Sequence, residues 1–228
     1  MRIAVIPARG GSKRIPMKNI RKFAEKPIIG WPIEEAVKSG LFNMVVVSTD
    51  DEKIAEIAKH AGAVVPFKRH TSLADDFTDT KSVIVDAIQE LGFADEPSVE
   101  VCCIYPTAVF INQRLLSDGL TRLQCGKFSF VFTITSINSI AYRSFTQDQD
   151  GRVQMLFPEN YSSRTQDLPK LYCDAAQFYW GKVRDWQSST PMIGPDSFGI
   201  FIDPDSVQDI DDEQQWRHAE LKFSQMRK

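Results

Sequence analysis

The sequence predicts an α/β fold: a mostly parallel sheet covered by helices, layered α/β/α. Three observations predict it. Short apolar runs alternate with amphipathic helical stretches from the start of the chain to about residue 135. The runs are nearly continuous in Val, Ile and Ala, as in strands buried on both faces. Their order, strand then helix then strand, is the rhythm of parallel βαβ units. A chain of 228 residues is long enough for one well-buried domain, and residues 1–228 are read as one.

Each element has its own signal. Ile3–Ile6 is the first strand. A helix through Ile33–Lys38 ends near Gly40, and Met44–Ser48 is the next strand. Asp50 or Asp51 N-caps a helix that runs to His60, with Ile54, Ile57 and Ala58 on its buried face and Gly62 after it. Ala63–Pro66 is short and extended. Thr80–Leu91 has helical periodicity through Val83, Ile84, Ala87, Ile88 and Leu91. Val99–Tyr105 is a buried strand, Leu115–Leu123 a helix and Ser129–Thr135 a strand. Residues 137–169 then turn polar, with scattered aromatics and too few apolar residues for a core of their own. They read as an inserted arm, a lid or a dimer contact. Ala175–Trp180 and Phe198–Ile202 are strands, and Asp212–Phe223 is the last helix.

Composition excludes several classes of function. With 27 basic and 30 acidic residues the net charge is −3, which points away from nucleic acid and membrane surfaces. Basic residues gather instead near the N-terminus, at Arg2, Arg9, Lys13, Arg14, Lys18, Arg21, Lys22 and Lys26. A local positive field in a mildly acidic chain fits a small anionic ligand. The apolar start is too short for a secretory signal, and no apolar run is long enough to span a bilayer. The four cysteines lack CxxC spacing and read as free core thiols, with Cys102 and Cys103 on opposite faces of one strand. These features predict a cytoplasmic protein.

In parallel sheets, ligands bind beyond the carboxyl ends of the strands. The first such end is "IPARGGSKRIPMKN", residues 6–19. It contains neither a Walker loop nor a dinucleotide fingerprint, and Pro16 prevents a helix from starting directly after the glycines. It reads as a long loop that wraps a polyanion. Gly10 and Gly11 would let backbone amides approach phosphate, and Arg9, Lys13 and Lys18 would surround it.

Ala8-Arg9-Gly10-Gly11-Ser12-Lys13 followed by Lys18-Asn19 resembles the signature loop of the acylneuraminate cytidylyltransferase (CMP-sialic acid synthetase) family, whose members activate sugar acids with CTP. "VVVSTDDEKIAEIAKHAGA" (45–63) and "RHTSLADDFTDT" (69–80) are similar to its next blocks. "CIYPTA" (103–108), "SRTQDLP" (163–169) and "DAAQFYWG" (174–181) resemble the family's pseudaminic acid branch. Sialic-type members usually have Gln at the position of Tyr105 and Asn-Gly at Ala176-Gln177. The chain departs from the pseudaminic pattern at Val109, where Pro is frequent, and at Ala176, where Gly is frequent.

The resemblance implies a Rossmann-like nucleotide-diphospho-sugar transferase fold with a small dimerisation arm at 137–169. It implies transfer of CMP from CTP to a nonulosonic acid, with pseudaminic acid first and sialic or legionaminic acid as the alternative. A nucleotide-binding module without catalysis is the alternative of another class. Arg9, Lys18 and Asp211 become the catalytic candidates, and Mg²⁺ the expected cofactor, held by Asp209 and Asp211. Residues Ala8 to Lys13, Asn19, Arg69, Thr78 and Thr80 become nucleotide contacts. Tyr105, Thr107, Arg164, Gln166, Asp174, Gln177 and Tyr179 become sugar contacts. The expected partners are CTP, the sugar acid and a second copy of the chain. From the residues alone, Asp209 and Asp211 fit two readings: same-side metal ligands on an extended segment, or part of an N-cap cluster with Asp212. Arg69 likewise fits a surface arginine, and Tyr105 a core aromatic at a strand end.

Overall fold

The computed structural model describes residues 1–226. β1 (Arg2–Pro7) leads through the basic loop to a two-residue ladder, β2 (Lys22–Phe23) with β3 (Lys26–Pro27). α1 (Gly30–Lys38) returns the chain to β4 (Met44–Ser48). α2 (Glu52–His60) starts at Asp51, whose carboxylate accepts the Ile54 amide at 3.0 Å. α3 (Thr80–Glu90) starts at Asp79, which accepts from Ser82 at 2.9 Å. Such caps satisfy amides that a first helical turn leaves unpaired. Next come β5 (Glu100–Ile104), α4 (Gln113–Gln124, capped by Asn112) and β6 (Phe130–Ile137). The arm hairpin β7 (Phe145–Gln147) and β8 (Val153–Met155) precedes β9 (Leu171–Lys182), α5 (Val183–Gln187), β10 (Ser197–Ile202) and α6 (Glu213–Met226).

Six strands form one sheet in the order β10-β6-β9-β5-β1-β4. β4, β1 and β5 are parallel, as are β6 and β10, while β9 runs antiparallel to both of its neighbours, β5 and β6. Side chains of each strand alternate between two cores. Ala4, Ile6 and Cys102 meet Ile33, Ile54 and Leu116 on one face. Ile3, Val5 and Cys103 meet Ile84, Ile88 and Trp186 on the other. Helices therefore cover both faces, and the predicted α/β sandwich is the fold observed. A third core packs α6, through Trp216 and Phe223, against Phe23 and Trp31.

The structure adds the β2–β3 ladder and α5, which lack a strong periodic signal, and lengthens β9 to 12 residues. Cys125 and Cys173 are exposed, so the core-thiol reading is corrected for these two. The segment 137–169 forms the β7–β8 hairpin among short 3₁₀ turns, and of its described residues Leu168 alone is buried. Ile140, Phe145, Val153, Leu156 and Tyr161 are each more than half exposed. Among the described residues no helix is long and apolar enough to cross a membrane.

Gly119 sets how closely α4 packs on the sheet, because a Cβ there would lie 2.7 Å from Trp180 and 2.9 Å from Phe178. Replacing a helical glycine by alanine ordinarily gains up to ~1 kcal/mol of helix propensity. Overpacking costs about 1–3 kcal/mol, and here it wins, because the neighbours are large buried rings. Gly119→Ala is expected to lower Tm in thermal unfolding, by about 2–4 °C per kcal/mol.

Candidate functional site

A cavity of about 450 Å³ opens beyond Pro7 of β1 and the end of β5, and Asp174 near the start of β9 contributes to its wall. The basic loop forms one side. Its ends are fixed: the Ala8 amide donates to the Ser48 carbonyl at 2.9 Å, and Asn19 Nδ2 donates to the Arg9 carbonyl at 2.9 Å. Ile15, 1% exposed, anchors the middle of the loop in the third core. Met17 adopts a left-handed conformation, φ 54°, and a 3₁₀ turn begins at Lys18.

That turn carries the Lys18 ammonium to the opposite wall. Nζ donates to the Ile210 carbonyl at 2.8 Å and lies 3.5 Å from Asp211 Oδ1. Burial lowers the Lys18 pKa, and the charges of Asp211 and Asp209 oppose that shift. Arg14 Nη2 is 2.8 Å from the same Asp211 oxygen.

The two readings of the acidic cluster separate in space. Asp212 caps α6, accepting the Gln215 amide at 2.8 Å, while Gln215 Oε1 accepts the Asp211 and Asp212 amides at 2.6 and 3.2 Å. This is a reciprocal capping box. It leaves the Asp211 carboxylate facing the cavity with Asp209, while buried Val207 and Ile210 hold the segment between them. Asp209 reaches solvent through the cavity mouth, yet enough protein surrounds it that desolvation raises its pKa, and the charge of Asp211 adds to the rise. Among the described residues no three metal-ligating side chains cluster. Mg²⁺ commonly takes one or two carboxylates and completes its shell with phosphate and water. The crowded pair Asp209 and Asp211 therefore fits a metal that arrives with a phosphate ligand.

Residues 69–80 form the third side. Arg69 is 4% exposed, and its Nε donates to Ser48 Oγ at 3.0 Å. Burial lowers its pKa to about 10, against the charges of Asp50 and Asp86. Asp75 folds the loop on itself, accepting the Phe77 and Thr78 amides at 2.9 and 2.7 Å. Asp76 pairs with Arg9 at 2.8 Å and with Lys13. Thr80 Oγ1 is hydrogen-bonded to the Tyr105 hydroxyl at 3.1 Å, and burial raises the Tyr105 pKa.

The last side comes from a break in the β6–β9 register. Phe132 pairs with Tyr179, but Ile134 pairs with Asp174, so residues 175–178 of β9 lie opposite Thr133 alone. The extra residues bulge toward the cavity, with Ala176 left-handed at φ 51°. That conformation favours glycine. The bulge holds Asp174: its Oδ1 accepts the Ala176 amide at 2.8 Å, and the Tyr179 hydroxyl donates to Oδ2. Burial raises the Asp174 pKa, the Ala176 amide opposes the shift and the charge of Asp209 adds to it.

Of the candidates from sequence, the cavity brings together Arg9, Ser12, Lys13, Lys18, Asn19, Arg69, Thr78, Thr80, Tyr105, Thr107, Asp174, Asp209 and Asp211. It does not bring in the others. Ala8 is fully buried. The Gly10 amide donates to Asp50 at 2.9 Å, and a Cβ at Gly10 would lie 3.0 Å from Asp51. Gly10 therefore serves a close approach to the start of α2, and its amide is not free for phosphate. Gly11 faces open space, off the cavity wall. Gln177 is 1% exposed and donates to the carbonyls of Ala175 and Ala176, which corrects its reading as a sugar contact. Tyr179 is buried behind Asp174 and is corrected to a support for it. Arg164 and Gln166 sit exposed on the arm, outside their own chain's cavity. The sequence reading missed Arg14, Asp75 and Asp76 as cavity residues. The signals were present, in the basic cluster and in the 69–80 block.

The sequence pattern of the cytidylyltransferase family matches residues 3–181. A pseudaminic acid cytidylyltransferase of Campylobacter jejuni is 37% identical over 221 residues, 97% of this chain and 95% of that protein. N-acylneuraminate cytidylyltransferase A of Danio rerio is 30% identical over 96% of this chain and 50% of its own length. In fold, a CMP:2-keto-3-deoxy-manno-octonic acid synthetase solved with CTP superposes with a TM-score of 0.72 at 15% identity, covering 99% of both chains. The family match over most of the chain and the near full-length identity together show that this chain belongs to the cytidylyltransferases.

Proposed function

We propose that this enzyme transfers CMP from CTP to pseudaminic acid and releases pyrophosphate. One observation carries the reading: Arg9, Lys13 and Lys18 line a single cavity together with Asp209 and Asp211, at the carboxyl end of a mostly parallel sheet. The similarity to pseudaminic acid cytidylyltransferases supports the choice of sugar. In the reaction the anomeric oxygen of the sugar attacks the α-phosphorus, the bond to the β-phosphate breaks and pyrophosphate leaves. Such transfer depends on alignment and charge neutralisation more than on covalent help. Arg9 and Lys13 are assigned to the β- and γ-phosphates, and Lys18 to the charge that grows at the α-phosphate. Asn19, Arg69, Thr78 and Thr80 contact the nucleoside, with Arg69 held rigid by Ser48. Tyr105, Thr107 and Asp174 face the sugar acid, and Tyr179 fixes the orientation of Asp174. Asp209 and Asp211 would hold Mg²⁺, which would supply further positive charge to the phosphates.

We assign the arm to a homodimer. Its exposed apolar side chains lack a core of their own, and a second subunit would cover them. Arg164 and Gln166 then act on the partner's cavity. Light scattering at assay concentration is expected to give a dimer, and Phe145→Asp a monomer of reduced activity. A fully active wild-type monomer would remove the assignment.

Pyrophosphate release from CTP with a panel of nonulosonic acids tests the substrate: pseudaminic acid should give the highest kcat/KM. A higher value for sialic or legionaminic acid would move the chain to another branch of the family. With the preferred acid, Lys18→Ala should lower kcat by about 10²–10³, the usual cost of removing a preorganised donor to developing charge. A change confined to the KM for CTP would make Lys18 a ground-state binder.

Asp211→Asn is expected to abolish turnover while leaving the circular dichroism spectrum unchanged. A ligand that binds only the native state raises its stability. Mg²⁺ with CTP should therefore raise the Tm of the wild type, and Asp211→Asn should lose the increment that depends on Mg²⁺.

A further inference from the structure

The two groups of cations in the cavity are already occupied in the ligand-free chain. Lys18 and Arg14 hold Asp211, which the proposed reaction uses. Arg9 and Lys13 hold Asp76, which it does not. Arg9 also donates through Nη1 to the Asp75 carbonyl. The residues assigned to the polyphosphate are thus bound to a carboxylate of the same chain.

The loop that carries this carboxylate is tied down at its ends and unsupported between them. At one end the Arg69 amide donates to the Thr49 carbonyl at 2.9 Å, and the Arg69 side chain is buried against Ser48. At the other, Asp79 caps α3. Between these anchors Asp76 and Phe77 are exposed, Phe77 by 93%. The turn around Asp75 is closed by local bonds to Phe77 and Thr78. It keeps its shape if the loop swings outward, and the long-range polar contacts given up are those to Arg9 and Lys13.

Resting on the reading of the cavity as a CTP site, we infer that Asp76 is an internal competitor for the polyphosphate: its carboxylate occupies Arg9 and Lys13 in the free enzyme and releases them when the nucleotide enters. A carboxylate carries one negative charge and a triphosphate several, so the nucleotide wins the exchange. Meanwhile Asp76 keeps the two cations positioned and withholds them from weaker anions. A ligand that binds only the released state has its apparent affinity reduced by that state's population.

Calorimetric titration with CTP and with inorganic pyrophosphate, each without and with Mg²⁺, tests this. Asp76→Asn and Asp76→Ser, both on an exposed loop, should each tighten both ligands by about 3- to 10-fold, the range for two partly exposed ion pairs. Glu213→Gln removes the same charge outside the cavity, where Glu213 pairs with Arg21, and should change either affinity less than about 2-fold. Unchanged or weaker binding in both Asp76 variants, with the wild type still binding CTP, would overturn the competitor role alone. An equal gain in Glu213→Gln would also overturn it, by showing a general field effect. If neither CTP nor pyrophosphate bound the wild type, with or without Mg²⁺, the reading of the site would fall and this inference with it.

Discussion

Strand β9 hydrogen-bonds to β5 along one edge and to β6 along the other, and the parallel blocks β4-β1-β5 and β6-β10 meet only through it in the described sheet. Its direction decides where its chemistry goes. Because β9 is antiparallel to its neighbours, its first half lies at their carboxyl ends, which places Asp174 beside the loops after β1 and β5. A parallel strand at this position would deliver its start to the opposite end of the sheet. The bulge opposite Thr133 has a second effect, since the extra residues turn the Ala176 backbone into the cavity and supply the amide that holds Asp174. Bulges next to ligand sites commonly redirect a side chain in this way.

Local anchors also fix where charges of both signs meet in the cavity, as Lys18 and Arg14 do on Asp211. Lys18 comes from a 3₁₀ turn pinned by Ile15, and Asp209 and Asp211 from a segment pinned by Val207 and Ile210. These anchors belong to the third core, where α6 packs on the β2–β3 ladder. The small appendage beside the main sandwich therefore fixes the distance between the half-buried Lys18 ammonium and the carboxylates. Its aromatic contacts, such as Phe23 edge-on against Trp216, belong to the same core as those anchors.

Much of this was legible in the residues. β4 coincides with the predicted Met44–Ser48, because an unbroken apolar run ends in Ser-Thr-Asp, where the chain must turn. The Asp51 cap and the opposite-facing Cys102 and Cys103 follow from local rules of capping and strand parity. What was not legible is non-local. Gln177 entered as a sugar contact through the resemblance alone, and its burial depends on the bulge, which is set by pairing with β6 more than forty residues earlier in the chain. Gly10 was misassigned because the partner that consumes its amide, Asp50, lies forty residues on. The competing roles of Asp211 and Asp212 were separated by Gln215, whose side chain completes the capping box. An Asp-x-x-Gln pattern was visible at 212–215, and it would have assigned the cap to Asp212 in advance.

The electrostatics of the free cavity carry a cost that its proposed ligands remove. Burial works against the charged form of Lys18, Asp174 and Asp209 alike. For the two acids the folded pKa lies above the unfolded one, so the native state binds more protons. Their contribution to stability is greatest at acid pH and is lost as the pH rises through the folded values. The surroundings of both carboxylates therefore disfavour their ionised form. Lys18 and Arg14 compensate Asp211, but Asp174 faces only neutral donors in its direct contacts. The proposed metal–nucleotide ligand would bring both signs at once, a cation for Asp209 and Asp211 and phosphates for Arg9, Lys13 and Lys18. On this reading the surface acids and bases of the cavity pair with each other only provisionally. Arg9 and Lys13 meet Asp76, and Lys18 and Arg14 meet Asp211, so an anion that enters must displace a carboxylate and a cation that enters must displace an ammonium or guanidinium.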